Sequence, residues 1–262
     1  MRVAGVDGCK DGVDSRNPGK TLGGWVAVIV EPDGSAHATR LRAIAELFER
    51  PLAPHIVAVD MPIGLPERIE TNGRAPERLV RPELGQRQSS VFSMPSRAAV
   101  YASVDETVAE EERYRHACAV ALETSTPPRK VSRQGFALFP RIVELDRWLR
   151  ASPAAREKVF ECHPEVSFWA MNGQVPLNLP KKVKGIAAAP GLELRRRLLE
   201  AAGFAPEILS PLKARELRVG EDDLIDACAA AWTAGRIARG QATSFPSPPE
   251  RDSEGLPIAI WA

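Results

Sequence analysis

The sequence predicts an α/β fold: a central mixed sheet of five strands, three antiparallel and two parallel, flanked by helices and carrying a helical and loop insertion after the fourth strand. Three observations predict it. Apolar β-rich runs at 2–6, 24–30 and 35–41 follow one another with turn signals between them. Two further runs, 55–60 and 158–162, are separated by a segment with helical spacing. Finally, aspartates stand at the ends of the first and fourth runs and again in the first turn of a late helix, so folding would bring acids to one sheet edge.

The elements can be justified in order. Arg2 to Val6 is a short β-rich run that exits through Asp7-Gly8, where glycine accepts a sharp turn. Gly24 to Val30 is the second strand, and the Gly-, Asp-, Asn- and Lys-rich segment from Cys9 to Leu22 predicts a long hairpin loop. Pro32-Asp-Gly34 turns the chain into a more polar third strand near Ser35 to Leu41, which completes an antiparallel meander. Ile44, Leu47 and Phe48 form a short helical stripe ended by Pro51 and Pro54. His55 to Asp60 is the fourth strand.

From Met61 the composition shifts to Arg, Pro, Ser and Glu, and we read about 61–135 as an insertion within a single domain spanning 1–262. Arg68, Arg74, Arg78, Arg81, Arg87 and Arg97 alternate there with Glu67, Glu70, Glu77 and Glu83, a pattern expected of solvated helix faces. Asp105 to Glu123 predicts a surface helix. Phe136 to Leu149 carries Ile142, Leu145 and Leu149 at helical intervals and predicts a crossover helix into the fifth strand, 158–162. Pro180 to Arg197 is the most basic stretch, and Leu192 to Ala202 a helix stopped by Gly203. The tail, 243–262, predicts irregular structure around Pro246, Pro248 and Pro249, with a short edge strand at 258–260.

The helix expected from Val219 to Ala234 holds the densest acids. Asp222, Asp223 and Asp226 sit at spacings of three and four, on one face. Capping of the helix amino terminus explains one or two of them. It does not explain a third on the inner side. The alanine-rich run 227–231 predicts that this face lies nearly flat against the sheet, with its carboxylates beside the strand ends.

Composition excludes several classes. With 262 residues, 44% apolar and 26% charged residues and a net charge of +1, the chain is neither disordered nor a polycation. The amino terminus runs straight into a strand without a basic leader and apolar signal core, and no apolar run reaches membrane-spanning length, so we expect a cytoplasmic protein without a membrane partner. Cys9, Cys118, Cys162 and Cys228 form no C-x-x-C pair, which argues against a disulfide framework or a thiolate zinc site. His163 beside Cys162 has no second His or Cys at ligand spacing, so a hydrogen-bonded imidazole near a strand end is expected in place of a metal ligand.

Three antiparallel strands, a helix, a fourth strand, a crossover helix, a fifth strand and a closing helix make the order of an RNase H-like fold. The motifs Val6-Asp-Gly-Cys9, Val59-Asp-Met-Pro-Ile-Gly64, Ser89-Ser-Val-Phe-Ser-Met-Pro-Ser-Arg97, Glu161-Cys-His-Pro-Glu-Val-Ser-Phe168 and Asp222-Asp-Leu-Ile-Asp-Ala227 resemble, across nearly the whole chain, an uncharacterised family catalogued as a domain of unknown function and predicted to be RNase H-like nucleases. The chain departs from that pattern where 11–22 intervenes before Gly23-Gly-Trp25. More distantly it is similar to the Holliday-junction resolvases, and that resemblance implies a catalytic and metal-binding set of Asp7, Asp60, Asp223 and Asp226, with Asp60 one methylene shorter than the resolvases' glutamate. It also implies dimerisation. Glu161, or Glu165 nearby, is a further candidate for the site.

The chemistry fits such a set. Phosphodiester hydrolysis needs an activated water and relief of charge on the leaving oxygen, which two divalent ions about 4 Å apart supply. Hard ions such as Mg²⁺ or Mn²⁺ take carboxylate oxygens. Arg97, Arg141, Lys182 and Lys184 are candidates for holding the phosphates of DNA or RNA. Two other classes compete with a nuclease. A non-catalytic nucleic-acid- or partner-binding module on the same fold gains nothing from clustered acids when its ligand is a polyanion. A phosphotransferase of the actin and sugar-kinase superfamily lacks here both the length for two lobes and a glycine-rich phosphate loop.

Overall fold

A computed structural model of the chain describes residues 1–9, 12–13, 21–22, 24–49, 53–183 and 185–262. It is an α/β structure, and its Cα packing forms two compact units: Met1–Asp60 with Lys158–Ala242 and Trp261–Ala262, and Met61–Glu157 with Thr243–Ile260.

The first unit contains the five-stranded sheet. Its strands are β1 (Val3–Gly8), β2 (Trp25–Val30), β3 (Ala36–Leu41), β4 (Ile56–Asp60) and β5 (Val159–Glu161), in the spatial order β3-β2-β1-β4-β5. The first three pair antiparallel as the turn chemistry at 32–34 predicts, with Asp33 accepting from the Ser35 backbone N–H at 2.9 Å. β4 joins β1 in parallel, and β5 joins β4 in parallel. Within the predicted 9–22 loop, Gly12–Val13 pairs antiparallel with Thr21–Leu22; the rest of that segment lies outside the described residues. The stripe at 44–48 forms a 3₁₀ helix, Ile44–Phe48.

Four helices follow β5: α1 (Pro164–Met171), α2 (Ala189–Ala201), α3 (Pro211–Leu217) and α4 (Glu221–Ala238). Helix α4 lies against β1, β2 and β4. The contact is close because neither side carries bulk. A Cβ placed on Gly5 would stand 1.9 Å from the Ala231 backbone nitrogen and 2.2 Å from the Ala227 carbonyl oxygen. The alanine run therefore does what its composition predicts, bringing helix backbone onto strand backbone. Around this seam Val26, Val28, Phe168, Leu199, Leu224, Ile225 and Cys228 form one buried cluster, and Val3, Ala58, Cys162, Ala230 and Ala234 another. Removal of this apolar surface from water is the main stabilising term here. Inside it the hydroxyls of Ser167 on α1 and Thr233 on α4 satisfy each other at 2.8 Å. All four cysteines are buried.

The second unit holds the helices Ala75–Glu83, Arg97–Tyr101, Glu110–Glu123 and Phe139–Ala151, and a two-stranded sheet of Ser244–Arg251 with Pro257–Trp261, all but the last residue of that strand. Ile142, Leu145 and Leu149 are buried as predicted. Two expectations need correction. The tail is not irregular at Pro246, Pro248 and Pro249: a strand, Ser244–Arg251, runs through all three, and pairing with the strand that follows it overrides the local proline chemistry. Nor are all the alternating Arg and Glu residues solvated. Arg74 and Glu77 are buried, their side chains 1% and 2% exposed, and pair at 2.6 Å while Arg74 also donates to the carbonyls of Ile63 and Gly64. No helix among the described residues is long and apolar enough to cross a membrane.

Candidate functional site

Parallel pairing sets Asp7 directly beside Asp60, so both side chains leave the carboxyl ends of β1 and β4 on one face. That is the face α4 covers, since Gly5 and Ala58 on the same side touch or line it. Helix α4 starts at Gly220, where an added Cβ would meet the Asp223 carboxylate at 2.7 Å, and its second turn delivers Asp226. Asp7, Asp60 and Asp226 each present an oxygen such that all three lie within 4.8 Å of one another. The first and last are only 6% and 1% exposed.

Such proximity in a dry setting disfavours ionisation. Burial, then the charges of Asp60, Asp226 and Asp223, pushes the Asp7 carboxyl well above its ordinary range. Burial likewise lifts Asp60 to about 7, against the opposing pull of Lys181. Asp226 is lifted to about 7 by burial, again with Lys181 opposing. Asp223, half-buried, is raised by burial and by Asp222.

Lys181 is the residue that sequence reasoning missed. Its ammonium pairs with Asp226 Oδ2, and although burial works against its charge, Asp226, Asp7 and Asp60 more than offset this and hold it protonated. Its placement is over-determined. Arg195, fully buried on α2, pairs with Glu165 on α1 at 2.5 Å and donates to the carbonyls of Leu179 and Gly191 at 3.0 and 2.8 Å. Gly191 has no room for a Cβ, which would stand 1.9 Å from the Pro180 carbonyl oxygen. The Lys181 carbonyl accepts from Ala188 N–H at 2.8 Å. The segment before Lys181 is thus clamped to α2, and its side chain is aimed at the acids. The only signal in the sequence is membership of the basic run after Pro180.

The remaining candidates divide. Asp223 lies within electrostatic reach of Asp7 and Asp60 but outside the tight trio. Glu161 pairs in register with Val59, one residue off Asp60, so it projects from the opposite face of the sheet; of the two glutamates, Glu165 is the one whose charge reaches Asp60. Lys182 pairs with Asp222 at 2.5 Å, and Lys184 lies outside the described residues. Arg97 is engaged elsewhere. Its guanidinium bridges Asp146 and Asp252, both at 2.6 Å, so its charge is already spent inside the second unit. Arg141, also of that unit, pairs with Glu144 three residues on, at 3.0 Å. His163, expected to be a hydrogen-bonded imidazole near a strand end, caps α1, accepting from Glu165 N–H at 3.2 Å.

The donor set fits a hard divalent cation. All its ligands are carboxylate oxygens. Three carboxylates facing one ammonium leave two negative charges unbalanced when ionised, which one such ion neutralises. Asp226 Oδ1 is buried and makes no hydrogen bond within the described residues, an omission that is costly unless something else binds it. Comparison with curated proteins and with solved structures finds no match to this chain. A family model does match, over residues 5–251: the chain belongs to the family described as "Protein of unknown function (DUF429)".

Proposed function

We propose that this chain is a metal-dependent nuclease of RNase H-like architecture that hydrolyses phosphodiester bonds of DNA or RNA. One observation carries the reading: Asp7, Asp60 and Asp226, far apart in sequence, converge with one buried carboxylate oxygen left without a partner. The strand order, three antiparallel strands followed by two parallel ones, supports the RNase H-like assignment. A binding-only module has no use for that convergence, because a polyanion is repelled by it.

Asp7, Asp60 and Asp226 would hold Mg²⁺ or Mn²⁺, with Asp7 shared if two ions bind and Asp223 completing the second set. Such ions, when bound, acidify a water and stabilise charge on the leaving oxygen. The chain's own residues do the rest. The trio is aimed by two strand ends and one helix, elements too rigid to move independently. Asp223, half exposed to the opening, is placed to orient a water. Lys181 holds the acids together by balancing one of their charges, and its ammonium is the nearest cation for a phosphate oxygen that arrives at them.

The test is a pair of measurements. Thermal melting with and without Mn²⁺ should show stabilisation of the natural chain that Asp226→Asn lacks. A panel of single-stranded, duplex and branched DNA and of RNA should show Mg²⁺- or Mn²⁺-dependent cleavage that Asp7→Asn reduces by roughly a hundredfold or more. Cleavage unchanged in Asp7→Asn would remove the trio from the chemistry. Metal binding without cleavage of any substrate on the panel would favour the binding module.

A further inference from the structure

The second unit contains a cavity of about 820 Å³ that the acid site does not use. It is bounded by the helix Ala75–Glu83, by the family motif 89–97 and by the loop 125–132. Its volume lies within the range of small-molecule and cofactor sites.

The lining has a consistent chemistry. Arg81, Arg129 and Lys130 contribute to it, and no acidic side chain does among the described residues. Arg81 is fixed: its guanidinium donates to the carbonyls of Val91 at 3.1 Å and Asn72 at 2.8 Å and to Ser93 Oγ at 2.7 Å. Arg129 and Lys130 have no ion-pair partner among the described residues, and the loop bearing them is tied down where Arg129 N–H donates to Ser125 Oγ at 2.8 Å. Burial lowers the affinity of Arg81 for its proton, and, against the pull of Glu77, the approach of Arg129 and Arg78 lowers it further. Positive charge is therefore gathered here, with Glu77 as the carboxylate acting on Arg81 from behind and none among the described lining residues. Beside it Phe92 offers a half-buried aromatic ring, and Gln86 and Gln88 carry amides that make no hydrogen bond within the described residues.

Cations for a phosphate, a ring for stacking and free amides for the edge of a heterocycle are the three recognition elements of a nucleotide. We infer that the cavity between helix Ala75–Glu83, the 89–97 motif and the 125–132 loop binds a nucleotide, with Arg81, Arg129 and Lys130 on its phosphate and Phe92 against its base. The motif Ser89-Ser-Val-Phe-Ser-Met-Pro then has a ligand-binding role, distinct from the acids of the first unit.

Calorimetric titration of the full chain tests this with AMP, adenosine, inorganic phosphate and a ten-residue single-stranded oligodeoxyadenylate as probes. AMP or the oligonucleotide should bind at least about tenfold more tightly than phosphate or adenosine alone, since each of these lacks one of the two anchors. Binding of AMP identifies a free nucleotide as the occupant; binding of the strand with none of AMP identifies a nucleotide within a strand. The double variant Arg129→Ala, Lys130→Ala, whose side chains are exposed and whose folding is not at risk, should weaken it by about tenfold or more, and Phe92→Ala should bring AMP down towards phosphate. The AMP titration, run without divalent metal, does not involve the acids of the first unit, so failure of the nuclease reading does not touch this one. No heat with AMP or strand at millimolar concentration, equal binding of phosphate and AMP, or binding indifferent to the double variant would overturn the assignment.

Discussion

Gly5 is the position where fold and site are joined most tightly, and Gly5→Ala is the sharpest test of that junction. The added Cβ would lie 1.9 Å from the Ala231 nitrogen and 2.5 Å from the Ala230 carbonyl carbon, against ordinary contact beginning at 3.4 Å, so α4 and β1 must separate by about 1.5 Å. Neither neighbour is a flexible side chain that can swing aside; both are helix backbone. Overpacking a core typically costs about 1–3 kcal/mol, and with backbone as the obstacle we expect about 3 kcal/mol or more. Asp226 rides on the same helix. Moving it away from Asp7 and Asp60 by such a distance spreads a trio whose oxygens now lie within 4.8 Å, and a divalent ion can no longer touch all three. Urea denaturation should therefore show the loss of stability, and Mn²⁺ should raise the melting temperature of the variant much less than that of the natural chain. A variant as stable as the natural chain to within about 0.5 kcal/mol, with its Mn²⁺ response intact, would refute the flat packing of α4 on β1.

Three other expectations follow from the same geometry. Lys181→Met removes the ammonium that balances the trio, so the metal-free protein should melt lower at pH 8 while Mn²⁺ binds more tightly; weaker Mn²⁺ binding would mean that the lysine aligns the ligands and does not compete with the ion. Without metal, stability should fall as pH rises, because Asp60 and Asp226 are lifted from 3.8 to about 7 in the folded chain and the folded state is then the one that binds protons more tightly; the loss runs from about pH 4 to about pH 7, is absent below, and should flatten in the double variant Asp60→Asn, Asp226→Asn when denaturant midpoints are compared. Arg97→Met takes the cation from Asp252, which is 0% exposed, and leaves Asp146, 3% exposed, with Arg150 at 3.7 Å, so it should cost the chain about 3–5 kcal/mol in urea melts; a change under about 1 kcal/mol would mean that this bridge does not hold the second unit together.

What could be read from the residues depended on locality. The meander 25–41 is written in alternating apolar runs and a Pro-Asp-Gly turn, and the helix 221–238 in its acidic first turn and alanine face; each is decided by neighbours within a few positions and so was legible. The separation of Asp7, Asp60 and Asp226 onto two strand ends and one helix was legible for the same reason, whereas the sequence implied a hydrogen-bonded imidazole at His163 but not its capping role. The strand through Pro246, Pro248 and Pro249 was not, because local proline chemistry speaks against it and pairing with the strand Pro257–Trp261 decides it.

The sequence by itself determined which residues are acidic, which elements carry them and that a five-stranded mixed sheet would form, since periodicity and turn chemistry act over short range. Tertiary structure alone decided which charges meet. Arg97 and Lys182 look like any exposed cations in the chain, yet each faces a carboxylate 155 or 40 positions away or nearer, and Lys181, indistinguishable from its neighbours in the basic run, is the one clamped onto Asp226. The reason is physical: a buried charge is stable only beside its opposite, and which opposite lies within a few ångströms is set by how distant segments pack, a quantity no local pattern encodes.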